Sequence, residues 1–443
     1  MECSRNSGTC ISDKEFGLGA FMEFFDFLNG SVSPWHTVEC LRREFASAGF
    51  RELRMSDGAP VEPGAAYMFV RGAALVALRM PLQVNEKSRF RLALAHTDFP
   101  ALKISPNPDR TASGACTLHA EVYGSPIYST WLDRDLGYAG LLAFEKDGSV
   151  QTKLVRGNKL FRIPSLAVHL NRGVNQDGTK VDPQADFNAL WQSATADGKA
   201  SAFAAALQGE LGTGERLLDF DVQLFDAQPA AHGGFNDEWI YSGRLDNLGS
   251  CHAAAQALIG SEACANDFCV ACFYNNEEVG SETREGAGGN LLRSVLETVW
   301  NAANAGKTGF VSLSAILEES FALSVDAAHA VHPNHPEKHD ANHSPVLGGG
   351  IVLKTNAQKR YASEAVSAAR LRLLCEKAGV ALQTFVMRND MPCGSTVGPS
   401  VSSALGIPTV DIGEPMLSMH SIREMTAASD HEGMVRLLAE FFR

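Results

Sequence analysis

A change of rhythm along the chain constrains its fold more than any other sequence feature. From about residue 235 onward, short apolar runs alternate with longer segments of helical period. In order these are LDNLGSCHAAAQALIG (helix), FCVACFYNN (strand), AGGNLLRSVLETVWNAANAG (helix) and FALSVDAAH (strand). EAVSAARLRLLCEKAG (helix), ALQTFVMR (strand), PSVSSALG (helix), PTVDIG (strand) and a closing helix in MVRLLAEFF follow. The start of the chain reads similarly. An amphipathic helix over 36–49 precedes extended pieces at AAYMFV and AALVALR, and FRLALAHTDFP reads as a buried strand emptying into a loop. Strands separated by helices pair in parallel and need cover on both faces. The expected fold is α/β, a mostly parallel sheet with helices on both sides.

Between about 101 and 231 this rhythm breaks. TLHAEVYG, GLLAFEKDG and SVQTKLVRGNKLFRIPSLAVHL are extended segments punctuated by Gly, Asp and Pro, as in hairpins. One stretch, ADFNALWQSATADGKASAFAAALQGELG, reads as helical instead. At 443 residues the chain exceeds one ordinary domain. The expected organisation is a discontinuous α/β domain, 1–100 and 232–443, with a β-rich domain, 101–231, inserted into it.

Composition narrows the function classes. Hydrophobic residues at 45% and charged residues at 20% are the balance of a globular protein in water. No apolar run approaches the roughly 18 residues that span a bilayer, so no membrane role is expected. The N-terminal MECSRNSGTC lacks a basic stretch followed by an apolar one, which makes the cytoplasm the expected compartment. A net charge of −13 argues against a nucleic-acid partner. It also means that any preference for acidic ligands needs a local cation. Among the ten cysteines, Cys269 and Cys272 form C-x-x-C, but inside a strand-like run. Residues three apart on a strand point to opposite faces, so these thiols are expected to be buried rather than to share a metal.

Five places carry a metal-capable or acidic residue directly after a strand or at the opening of a helix. They are His96 and Asp98 in AHTD, Asp246 in RLDN, Glu277 and Glu278 in NNEEVGS, Asp326 in SVDAAH, and His420 in LSMHS. In an open α/β sheet such residues converge beyond the carboxyl ends of the strands. Two histidines with several carboxylates suit zinc, cobalt or manganese. Adjacent buried glutamates are costly together unless cations neutralise them.

The stretches AHTDFPALKISP, RLDNLGSC, NNEEVGS followed by GAGG, SVDAAHAVHPNH, KTNAQKRYAS and CGSTVGPSVSSALGIPTVDIGEPMLSMHSIRE resemble, in order, the signatures of the aspartyl aminopeptidase family. The resemblance spans nearly the whole chain. It implies a two-metal enzyme that removes N-terminal, preferably acidic, residues from peptides. Carried over, it assigns His96, Asp246 and Asp326 to one metal, with Asp246 bridging and Glu278 and His420 completing the second. Glu277 becomes the general base and Asp98 the carboxylate that holds the His96 ring. The cofactors implied are two divalent ions, zinc first and cobalt or manganese as alternatives. Two such cations bring a shared water's pKa down toward roughly 7.

The resemblance further implies that His169, in IPSLAVHLNR, reaches a neighbouring subunit's active site and stabilises the oxyanion there. It implies a homo-oligomer, dimers assembled into a dodecamer. Lys354, in IVLKTN, becomes the local cation for the substrate's acidic side chain. Of the clustered His329, His332, His335, His339 and His343, only His332 is carried into the substrate-binding set. Three positions depart from the family pattern: Asn275, Phe99 and Glu282. Phe99 is expected to narrow or reshape the pocket, and Glu282 to add negative charge near it. Two competing readings remain: a broad-specificity two-metal aminopeptidase or deacylase, and a non-catalytic shell protein of the same fold.

Overall fold

The computed structural model describes residues 22–58, 60–194 and 202–443. The N-terminal MECSRNSGTC lies outside the described residues. A nine-stranded sheet forms the centre, in the order Arg51–Glu52, Ala66–Arg71, Ala74–Arg79, Phe268–Tyr274, Phe90–His96, Phe321–Val325, Thr409–Gly413, Ile351–Thr355, Leu382–Val386. The four strands from Phe268–Tyr274 to Thr409–Gly413 run parallel. Ala66–Arg71 and Ala74–Arg79 turn back on each other through Gly72, whose φ of 60° suits a tight hairpin.

Residues alternate strictly between two cores, as a period of two requires. Cys269, Ala271 and Phe273 join the core beneath helices Phe24–Gly30, Pro34–Ser47, Leu245–Ile259, Ala365–Ala378 and Ala428–Phe441. Phe268, Val270, Cys272 and Tyr274 join the opposite core, covered by Leu291–Ala303, Leu313–Glu318 and Val397–Leu405. Cys269 and Cys272 therefore sit back to back, both buried. Each fully buried Leu, Val or Phe contributes about 1.5–3 kcal/mol relative to exposure, which holds the sheet rigid.

A six-stranded antiparallel sheet takes its strands from Ala101–Ala112 through Arg216–Asp226 and carries its own apolar core around Trp131, Leu142, Phe161 and Leu224. Within the stretch read as one helix, Asn188–Ser193 is instead a strand paired antiparallel with Ala115–Tyr123. Phe187, Ala189 and Trp191 pack at a spacing of two, the signal that the helical reading passed over. Among the described residues there, Phe203–Gln208 is helical and Ala185 and Asp186 end the short helix Pro183–Asp186; residues 195–201 lie outside the described set.

A third sheet has no counterpart in the sequence reading. Its five strands, Ala231–Gly233, Trp239–Ser242, Glu424–Ala427, Pro415–Leu417 and Ala328–His329, are two to four residues long. It lies beside the carboxyl ends of the central strands and shapes the site described next. Among the described residues, no helix is long and apolar enough to cross a membrane.

Candidate metal centre

Three neighbouring parallel strands end at one edge. His96 closes Phe90–His96, Asp326 follows Phe321–Val325, and Glu277 and Glu278 form a single turn after Phe268–Tyr274. The small sheet supplies the facing side. Asp246 follows Trp239–Ser242, and His420 lies between Pro415–Leu417 and Glu424–Ala427. Together with Lys354, these residues line one cavity of about 390 Å³.

The two histidines are held in the same manner. His96 Nδ1 donates to the Asp98 carbonyl at 3.0 Å, and His420 Nδ1 donates to the Ser125 carbonyl at 3.0 Å. A carbonyl can only accept, so in the neutral ring the Nε2 lone pair faces the cavity. His96 Nε2 lies 3.7 Å from Asp246 Oδ1, and His420 Nε2 lies 3.6 Å from Asp246 Oδ2. Each oxygen of Asp246 thus addresses a different imidazole. Glu278 Oε2 stands 3.4 Å from His420 Nε2. Ligand atoms of His96, Asp246 and Glu278 all fall within 4.8 Å of one another.

Asp98 reaches the His96 ring through two of its oxygens. Its carbonyl, rather than its carboxylate, makes the shorter contact to His96, with Oδ1 at 3.4 Å. The carboxylate accepts the Tyr123 hydroxyl at 2.7 Å and the backbone N–H groups of Glu277 and Glu278, each at 3.1 Å. It therefore sets the turn that presents both glutamates. Glu424 plays the matching part opposite, accepting from Asp246 N at 3.1 Å and His420 N at 2.7 Å. That second contact holds His420 at φ 67°, in the left-handed region. The sequence reading passed over Tyr123, Ser125 and Glu424; Glu424 lies in the quoted HSIRE stretch, but nothing local marked its role.

The electrostatics call for cations. Burial pushes Glu277 up to about 8, against the pull of His96 and with neighbouring carboxylates adding. Burial also raises Glu278 and Asp326 above the usual carboxylate range. Burial opposes charge on His420, but its hydrogen bond with Asp246 and the charges of Glu278, Asp246 and Glu424 outweigh it, lifting the ring to about 10. His96 is raised in the same way against burial, chiefly by Asp98 and Glu277. Protons stand in for missing positive charge. Asp246 Oδ1, buried and without a hydrogen-bond donor among the described residues, completes the fit to a metal.

The other predicted positions divide between the cavity and the rest of the molecule. Lys354 is buried on the cavity wall, donating to the Asp326 and Ala327 carbonyls at 3.1 and 3.0 Å, with Asp326 Oδ1 at 3.4 Å. His332 is exposed on a loop, where its Nδ1 accepts from Asn334 N, and it does not line the cavity. Of the clustered histidines His329 does. His169 is exposed on a turn rather than in a strand. Phe99 is buried in the helix-covered core beneath the Arg244 guanidinium, away from the main cavity, and Glu282 is exposed outside it. Asn275 donates to Glu285 and accepts from Asn276 N, folding the loop behind the glutamates.

Imidazoles and carboxylates converging at the carboxyl edge of a parallel sheet define the site of a metal-dependent α/β enzyme. Residues 27–442 match the family model of the aminopeptidase I zinc metalloproteases, M18. A probable M18 family aminopeptidase 2 of Pseudomonas aeruginosa (strain UCBPP-PA14) is 39% identical over 424 residues, covering 94% of this chain and 96% of the relative. Among solved structures, a chain of the Ape4 and Nbr1 complex superposes with a TM-score of 0.87 at 33% identity, covering 95% of this chain and 84% of that one. The mApe1 dodecamer of Saccharomyces cerevisiae gives a TM-score of 0.82 at 29% identity, covering 95% of each chain. The chain belongs to the M18 family and is a metalloaminopeptidase, with zinc the metal named in the family's description.

Proposed function

We propose that this chain removes acidic residues from the N-termini of peptides with two divalent cations, one on each side of Asp246. The observation that carries the reading is the mirrored setting of His96 and His420, each pinned at Nδ1 and each aiming Nε2 at its own oxygen of Asp246. His96, Asp326 and Asp246 would hold one cation, and Glu278, His420 and Asp246 the other. When bound, the pair supplies charge that acidifies a water, polarises the scissile carbonyl and anchors the free α-amine.

The chain's own residues do the rest. Glu277 takes the proton of the attacking water and returns it to the leaving nitrogen. Asp98 and Tyr123 keep Glu277 in place through its backbone N–H. Lys354 meets the side-chain carboxylate of the substrate, a pairing worth up to a few kcal/mol of discrimination where water is excluded. Its ammonium already donates to two carbonyls beside Asp326, and this favours a second reading in which Lys354 only positions Asp326 and specificity is broad.

Assembly belongs to the same proposal. Leu166, Val168 and Leu170 are 68%, 50% and 76% exposed around His169. Such apolar surface fits burial against a second copy, and the inserted region, 101–231, would supply this dimer face. His169 would then donate to the oxyanion in the neighbouring subunit's site, within a dodecamer built from dimers. Rates on Asp-, Glu-, Leu- and Lys-peptides with zinc, cobalt or manganese test the substrate. Faster cleavage after Leu than after Asp would sink the acidic preference. Lys354→Ala should slow acidic substrates selectively; an equal loss on all four supports the broad reading. Mixed His169→Ala and Glu277→Gln subunits should recover activity if sites are shared, and no recovery counts against it.

A further inference from the structure

Away from the cavity, at the opposite end of the central strands, two thiols face each other. Cys269, the second residue of Phe268–Tyr274, is buried, whereas Cys264 in the preceding loop is partly exposed. Their sulfurs are 3.6 Å apart. Both thiols reach one acceptor, the Phe442 carbonyl, at 3.4 Å from Cys264 and 3.3 Å from Cys269. The loop is fixed, since Leu82 N and Gln83 N donate to the carbonyls of Cys264 and Ala265. The C-x-x-C partner Cys272 points into the opposite core, so the effective partner of Cys269 lies five residues upstream instead.

From this geometry we infer that Cys264 and Cys269 form a reversible redox pair, with Cys264 the thiol attacked by a hydroperoxide and Cys269 the thiol that resolves it. The half-buried residue is the reactive member and the buried one the resolver, the division of labour found in redox-sensing pairs. Cys264 is pulled down to about 7, first by its hydrogen bond with Cys269 and then by Arg91 and Arg79, against burial and Asp267. A thiolate fraction therefore exists at neutral pH.

The chemistry balances. The Cys264 thiolate attacks one oxygen of the hydroperoxide, the O–O bond breaks, and the departing alkoxide or hydroxide takes a proton. Cys264 is now a sulfenic acid. The Cys269 sulfur attacks it, an S–S bond forms, and the S–O bond breaks. The leaving hydroxide takes the Cys269 proton and departs as water. Two electrons have passed from the thiols to the hydroperoxide. The sulfurs close from 3.6 Å to about 2.0 Å, a shift within reach of side-chain rotation and a small loop movement. Both hydrogen bonds to Phe442 are lost in the oxidised form.

Hydrogen peroxide applied to the zinc-loaded enzyme, followed by thiol blocking and cleavage before Asp267 without reductant, provides the test. Asp267 lies between the two cysteines, so a cross-link holds the two resulting peptides together. The expected result is a Cys264–Cys269 cross-link lighter by two hydrogens and released by dithiothreitol. In Cys269→Ser, dimedone should trap a sulfenic acid on Cys264. Should that variant fail to fold, relative blocking rates in the untreated wild type carry the second arm, with Cys264 expected to react fastest of the buried and half-buried cysteines. Pairing of either residue with Cys251 or Cys272, oxidation of Cys264 past sulfenic acid without a cross-link, or slow reaction of Cys264 would overturn the inference.

Discussion

The two sides of the metal centre are built from different material. The His96 side stands on the central sheet, where strand ends backed by two apolar cores place His96 and Asp326 almost without exposure. The His420 side stands on strands of three and four residues, and its imidazole remains 26% exposed. There, polar contacts replace packing: Glu424 accepts two backbone N–H groups, and Ser125, at the tip of the inserted sheet, fixes the ring. One side is positioned by hydrophobic burial and the other by a hydrogen-bond network reaching across 295 residues of sequence. A network of that kind is more easily loosened, so the second side is the one through which the inserted region can influence the site.

The largest effect should come from Glu277, the proposed general base. Glu277→Gln should lower turnover by about 10²–10⁴-fold while zinc still binds, read by steady-state kinetics beside metal analysis. The next comparison sets Asp98→Asn against Glu424→Gln. Each should cost about 10–100-fold in activity or metal affinity, but at different places. Asp98→Asn disturbs the turn of Glu277 and Glu278 and should act mainly on turnover. Glu424→Gln should act mainly on zinc affinity at the His420 side, as seen by competitive chelation. Similar profiles for the two would erase the distinction. Tyr123→Phe removes one hydrogen bond to the Asp98 carboxylate and one from Asn276 Nδ2 but leaves both backbone N–H contacts of Asp98 in place, so it should reduce turnover by less than either.

A pH effect sharpens the same contrast. In the metal-free protein Glu277 and Glu424 are lifted from 4.5 to about 8 by burial, and His420 from 6.5 to about 10 against it. The folded chain then holds more protons than the unfolded one, so the associated stability is present at low pH and lost as pH rises through these values. Melting of the chelated enzyme should therefore fall between about pH 5 and 9, and added zinc should flatten the decline. A melting temperature that rises with pH in the absence of metal would contradict this assignment of charge.

What could be read from the chain follows the same division. Runs such as FRLALAH and FCVACFY are apolar throughout, and strands buried on both faces require that, so the central sheet was legible. The positions after those strands carried His96, Asp326 and the glutamate pair into view. The small sheet was not legible, because strands of two to four residues carry no measurable period. Ser125 acts on His420 across 295 positions, and Glu424 ties His420 to Asp246 across 178, so nothing local announces either role. Asn188–Ser193 was misread because alanine-rich sequence on its far side outweighed the alternation of Phe187, Ala189 and Trp191. His332 and His169 had identity in their favour, but both are exposed, and a role for His169 requires a second subunit.

Metal content of the purified chain and of two single variants tests the central claim most directly. Two zinc ions per wild-type chain are expected, with His420→Ala retaining the one held by His96, Asp246 and Asp326. His96→Ala should retain less than His420→Ala, since it removes the ligand of the more rigid side. A single zinc in the wild type, or complete loss of both ions in His420→Ala, would contradict a centre with two separately built halves sharing Asp246.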